Sequence, residues 1–177
     1  RLVVASIRSR PRYRLIAGRV QHLMLVGAVT DTDPLRDVLA DDSVTQERIV
    51  LQDALEYVLS FPMATAKEAA QLLGNRWANP SDALAKLARR SRLIRLRTAN
   101  GVRYPRFQFE YSAREHEVVH EVNELLGAGD DPWAAASWWL SPSGSLDDAA
   151  PHTLLLSGPD RVLAAARREA SLDDAEL

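Results

Sequence analysis

The sequence predicts a mainly α-helical protein with one small β-ribbon, on three observations. Apolar residues recur at helical spacing in several separate stretches. Two-residue alternation is confined to the region from Leu93 to Phe109, where Asn100-Gly101 splits it in the manner of a hairpin. Capping residues and prolines stand where the periodic stretches open, and Gly or Ser-Pro-Ser-Gly where they close.

Residues 1–59 are expected to hold a helix from about Arg12 to Ala28 and a break at Asp31-Thr32-Asp33-Pro34. A longer helix follows from about Ser43 to Leu59, with Ile49, Val50, Leu51, Ala54, Leu55 and Val58 on its apolar stripe. No motif accompanies them. Helical packing or dimerisation is the expected role, with the arginines solvated or touching phosphate.

Residues 60–110 carry more signal. Thr65 with Glu68 three positions on is a capping-box arrangement, leading into a helix that reaches Leu72-Leu73 and stops at Gly74. After the turn Asn75 to Pro80, Ser81 is expected to cap a second helix, Asp82 to about Ser91, with Leu84, Leu87 and Ala88 inward and Lys86, Arg89 and Arg90 outward. Leu93 to Arg97 then alternates as a strand, and Val102 to Phe109 returns from the turn. Helix, turn, helix and a basic two-stranded ribbon are the parts of a winged helix-turn-helix. That reading sends Lys86, Arg89 and Arg90 into or beside a DNA major groove with Asn79 and Ser81 at the helix start, and Arg97 and Arg103 on the wing to phosphate.

Residues 111–130 read as a connector helix, about Ala113 to Leu126, with Val118, Val119, Val122, Leu125 and Leu126 as its buried stripe. It contains His116-Glu117-Val118-Val119-His120, literally the H-E-x-x-H zinc-peptidase string, in which two histidines one turn apart hold zinc and the glutamate activates water. No third ligand follows at a usable spacing, and the expectation is an amphipathic connector.

Residues 131–177 open on Asp131-Pro132, an N-cap acceptor followed by a proline suited to the first turn. Trp133, Ala136 and Leu140 recur at helical spacing beside Trp138 and Trp139, and Ser141-Pro142-Ser143-Gly144 ends the helix. Shorter helices are expected near Pro151 and near Pro159-Asp160, the latter turning Val162, Leu163 and Ala166 inward. Two consecutive tryptophans cannot share one helix face. Trp133 and Trp138 are expected in the core and Trp139 at a partner surface. His22 and His152 stand alone and carry no signal.

With 177 residues and 46% apolar content the chain can bury a sizeable core in one to three small domains. Zero cysteines exclude disulfides, Cys-zinc sites and thiol catalysis. No run of about 18 apolar residues and no signal-peptide pattern occurs, so a soluble cytoplasmic protein is expected. The chain opens on Arg1 rather than Met, which leaves room for upstream residues. The net charge of −2 conceals a segregation: residues 1–30 hold arginines and no acid, Ser60 to Phe109 is strongly basic against only Glu68 and Asp82, and the balance inverts from Glu110. A basic middle and an acidic end suit two different partners.

The string from Asp131-Pro132-Trp133 through Trp138-Trp139-Leu140-Ser141-Pro142, Leu146, Pro151-His152-Thr153-Leu154-Leu155 and Gly158-Pro159-Asp160-Arg161-Val162-Leu163 resembles the toxin-binding module of the Xre/MbcA/ParS-type antitoxins, bacterial proteins that neutralise RES-domain toxins. The segment ending in Tyr104-Pro105-Arg106-Phe107-Gln108-Phe109 is similar to the DNA-binding half of a branch of the same family. The two occur here in the family's order, and residues 1–59 lie outside the resemblance. Two features depart from the pattern: the turn between the two helices is longer, and Asp148 stands where the family usually has Gly, although Asp tolerates the left-handed conformation.

The resemblance implies a non-enzymatic antitoxin that blocks an NAD-consuming RES-domain toxin and represses its own operon. It implies double-stranded operator DNA as second partner and a homodimer within a toxin–antitoxin assembly. No cofactor is expected, NAD belonging to the toxin. Trp139, Arg161, Arg168, Asp173, Asp174 and Glu176 become the candidates for the toxin surface, an acidic end being suited to a cationic dinucleotide pocket. Two other readings stand beside it: a stand-alone winged-helix regulator whose C-terminal module dimerises, and a zinc peptidase.

Overall fold

A computed structural model describes residues 52–174, with side chains to Ser171. The helix expected from Arg12 to Ala28, the break at Asp31 to Pro34 and the start of the helix expected from Ser43 lie outside the described residues. So do the side chains of Asp173, Asp174 and Glu176.

Residues 52–59 are helical (α1), with Val58 buried and Leu55 packed against the same core. There follow β1 (Met63–Ala64), α2 (Ala66–Leu72), α3 (Pro80–Arg89), β2 (Leu96–Thr98), β3 (Gly101–Pro105) and a 3-10 turn at Arg106–Phe109. The rest is α4 (Ala113–Leu125), α5 (Pro132–Leu140), 3-10 turns at Gly144–Leu146 and Pro151–Leu154, and α6 (Pro159–Asp174). The fold is mainly helical with a small antiparallel sheet in the order β1-β3-β2.

Local chemistry explains most of these boundaries. The Thr65 hydroxyl accepts from the Glu68 N–H at 3.3 Å while the Glu68 carboxylate accepts from the Thr65 N–H at 2.7 Å, the reciprocal box the sequence predicts. Ser81, expected as the cap of the next helix, is instead inside it. Asn79 is the cap, its Oδ1 accepting from the Asp82 N–H at 3.2 Å, because Pro80 fits the first helical position, where its missing N–H is not needed. The strand expected from Leu93 starts only at Leu96, and Leu93 and Ile94 are buried in the approach to it. In the hairpin the left-handed backbone falls on Gly101 (φ 95°), which opens β3, and not on Asn100. Asp131 caps α5 by accepting from the Ala134 N–H at 2.9 Å. Asp148 does take the left-handed conformation (φ 61°), and so does Asp147 (φ 57°).

The sheet lies between two apolar cores. Ala64 pairs with Tyr104 in register, and these with Val102 face a small core of Ala69, Leu84, Ala88, Leu93 and Phe109, closed by α2 and α3. Met63 and Leu96 face the other way, into a larger core built by α1, α4, α5 and α6 and including Phe107, Val122, Trp133, Trp139 and Val162. This alternation is the two-residue period of strands put to use on both faces. The larger core therefore runs across the expected boundaries at 110 and 130.

A chain of buried amides crosses the junction. The Gln108 side chain accepts from the Ile94 N–H at 2.7 Å and donates to the Ile94 and Pro105 carbonyls. Asn123 on α4 donates to Gln108 Oε1 at 3.4 Å and accepts from the Trp139 indole N–H at 2.8 Å. Gln108 and Asn123 are 2% and 0% exposed, and each finds partners for its polar atoms, as burial requires.

The capping box carries a pH dependence. Hydrogen bonds from the Thr65 backbone and hydroxyl hold the Glu68 carboxyl below its ordinary value of 4.5. A depressed acid contributes stability that is present above the unfolded value and is lost as pH falls through the folded one. Thr65→Ala removes the hydroxyl and leaves the backbone N–H, so it should lower the melting temperature somewhat more at neutral pH than at pH well below 4.5, an N-cap of this kind contributing about 1 kcal/mol. Melting curves of the two proteins across pH 3–7 check it, and a constant gap would contradict it.

Candidate nucleic-acid interface and C-terminal module

On α3 the buried side is Leu84 and Ala88, with Leu87 beside them. At 100° per residue, Asp82, Lys86 and Arg89 lie within about 40° of the direction opposite Leu84, and Arg90 about 60° from it. All four are exposed, as are Asn79 and Ser81. Lys86 pairs with Asp82 at 3.0 Å, an exposed contact one turn long. The geometry thus brings Lys86, Arg89 and Arg90 together on one outward face, whereas Asn79 is engaged as the cap and Ser81 sits on the flank. Asp82, on this same face in the first turn of α3, was not among the expected site residues. A helical wheel drawn on the buried leucine finds it.

The two arginines of the β2–β3 hairpin do not act as a pair. Arg97 stands opposite Val102 in register, on the side of α3, and is exposed. Arg103 stands opposite Leu96 on the other face and is half-buried, its guanidinium folded back to donate to the Val102 carbonyl at 2.9 Å. The end of α3 is held from behind by the loop after α4. There the Gly129 N–H donates to the Ser91 hydroxyl at 3.1 Å, and a Cβ at Gly129 would come within 2.8 Å of that oxygen and 3.1 Å of the Ala88 carbonyl. Only glycine permits this approach.

In the C-terminal module one tryptophan departs from its expected role. Trp139, expected at a partner surface, is 0% exposed, whereas Trp138, expected in the core, is partly buried and packs against that core from its edge. The cause is that α5 is enclosed around most of its circumference. Trp133, Ala135, Ala136, Trp139 and Leu140 are all buried, the Trp139 ring meets Phe107 at 5.1 Å between centroids, and Trp138 lies edge-on against it at 5.3 Å. His152 also has a clear place. Its ring packs on Phe61 and Phe107, and its Nδ1 lies 3.0 Å from the Trp139 carbonyl. Arg161 is exposed and pairs with Asp147 at 2.6 Å, bracing the left-handed turn against α6, and Arg168 is exposed.

His116 and His120 do share the helix α4, one turn apart. Burial first, and Arg92 second, hold the His120 imidazole below its ordinary value, which favours the neutral ring. Among the described residues, no group of three or more His, Cys, Asp or Glu side chains is placed to hold a metal ion. Two imidazoles alone leave a zinc ion short of the three protein ligands a catalytic site uses. Protein exposed to excess zinc and desalted should retain well under one equivalent, and Glu117→Gln should change no activity. Stoichiometric zinc lost on His116→Ala would contradict this.

Among the described residues no helix is long and apolar enough to cross a membrane. Comparison with protein-family models, curated proteins and solved structures finds no match for this chain.

Proposed function

We propose that the chain is a non-enzymatic DNA-binding regulator whose basic middle segment is a winged helix-turn-helix and whose helical C-terminal module binds and blocks a protein partner. The observation that carries the DNA reading is the outward face of α3, where Lys86, Arg89 and Arg90 converge beside a sheet in the β1-β3-β2 order with Arg97 on the same side. α3 is then the recognition helix and the β2–β3 hairpin the wing.

For the partner we propose a RES-domain toxin that consumes NAD, on the resemblance of residues 131–163 to the antitoxin module. The reading makes the chain an antitoxin that represses its own operon. With Trp139 buried, Trp138 and the exposed Arg161 and Arg168 are the available contacts.

Two measurements test this. Fluorescence anisotropy with a labelled duplex should show binding by the full chain and a loss of at least tenfold on combining Arg89→Ala with Arg90→Ala. Titration of a RES-domain toxin with the full chain should silence NAD consumption near equimolar ratio, and Trp138→Ala should weaken inhibition. Undiminished DNA binding by the double variant removes the first half of the reading. Failure to associate with any RES-domain toxin removes the second.

A further inference from the structure

The outward face of α3 contains a contradiction in charge. A surface that approaches a polyanion holds a carboxylate, Asp82, in the first turn of its helix, in line with Lys86 and Arg89 one and two turns further along. Folding does not require it: the helix is capped by Asn79, the Asp82 side chain is 52% exposed, and its partner Lys86 is 65% exposed. Exposed pairs one turn apart contribute little to stability. An acid in the first turn suits the helix dipole, but that effect is served equally at flank positions that face away from DNA. The position itself is informative, since the N-terminal part of a recognition helix is the part that reaches base edges.

We propose that Asp82 is a specificity-determining residue for duplex DNA, accepting a hydrogen bond from cytosine N4 in the major groove while Lys86 donates to an adjacent guanine. This rests on the DNA-binding reading above. An ionised carboxylate can only accept. In the major groove guanine offers N7 and O6 and thymine offers O4, all acceptors, adenine offers its N6 amino group beside the N7 acceptor, and cytosine offers only its N4 amino group. Asp82 therefore rejects guanine and thymine at its position by repulsion, meets a donor and a repelling acceptor together on adenine, and pairs without that penalty only with cytosine. Lys86, with donors only, complements guanine O6 and N7. In the free protein the two side chains satisfy one another at 3.0 Å, and on DNA each exchanges its partner for a base edge.

The test is selection from a pool of randomised duplexes by the full chain, with wild type, Asp82→Ala and Asp82→Asn compared. Wild type should enrich one position for cytosine beside a guanine. Exchanging that C·G pair for G·C or T·A should cost about tenfold or more in affinity, the scale of a good base contact. Asp82→Ala should flatten the preference at that position to less than about twofold and raise affinity for mismatched duplexes. Asp82→Asn should move the preference toward adenine, whose N6 and N7 match an amide. All three proteins should melt alike, since the cap lies at Asn79. If Asp82→Ala tightens binding to every duplex equally and leaves the selected sequence unchanged, Asp82 is only a repulsive charge and the inference is overturned while the DNA-binding reading stands. If wild type retains no duplex at all, the reading itself fails.

Discussion

Trp139→Ala should destabilise the protein by about 3–5 kcal/mol, the range for truncating a large aromatic in a close-packed core. Removing the indole empties the space between Phe107 and α5 and leaves Asn123 without the donor it holds at 2.8 Å. For a chain of this size the loss corresponds to a fall in melting temperature of roughly 10 °C or more. Trp139→Phe keeps an aromatic ring against Phe107 but loses part of the indole volume together with the N–H, so its effect should be smaller, about 1–3 kcal/mol. Trp138→Ala, at the partly buried neighbour on the edge of the core, should be milder again. Thermal and urea unfolding followed by far-UV circular dichroism order the three. A melting temperature unchanged by Trp139→Ala would refute the buried placement. The practical consequence is that a loss of binding to the proposed toxin in Trp139→Ala would report destabilisation, and the proposed surface is better probed at Trp138.

The second large effect is expected from salt. A protein that neutralises about five phosphates has a slope near −4.5 in log affinity against log salt, or roughly a 500-fold loss between 50 and 200 mM. The exposed cations Arg76, Arg89, Arg90 and Arg97 on and around α3 and the β2–β3 hairpin supply most of that number, Lys86 being assigned to a base edge. Combining Arg89→Ala with Arg90→Ala should reduce the slope by about two units, because each contact released one counterion. Arg103→Ala should change it less, since that guanidinium is turned onto the Val102 carbonyl. Anisotropy titrations at four or five salt concentrations give all three slopes. Binding that ignores salt would remove phosphate contact from the account.

What could be read from the sequence was what is decided locally. The capping box at Thr65, the cap at Asp131, the span of α4 and the left-handed backbone at Asp148 depend on residues within one turn of each other, and each appears in the structure as expected. Asn79 could have been read as well. The rule that identifies Asp131-Pro132 as a helix start applies unchanged to Asn79-Pro80, and preferring Ser81 ignored the proline. Which tryptophan turns inward was beyond local reasoning. Adjacent residues lie 100° apart on a helix, so one of the pair had to be more exposed, but the choice was made by Phe107 and Asn123, distant in sequence. His152 and Gln108 acquire their roles in the same non-local way.

The amide chain from Gln108 through Asn123 to Trp139 restricts how this protein could be rebuilt. A chimera that joins residues before 110 to a foreign C-terminal half would bring Gln108 and Phe107 against a surface lacking the Asn123 amide and the Trp139 ring. It would bury groups with no partners and leave a gap at the seam. The reciprocal graft would leave Trp139 with no aromatic neighbour at Phe107. The two halves are thus not interchangeable cassettes. Recombination between related chains could replace one half only if Phe107, Gln108, Asn123 and Trp139 were carried over as a set.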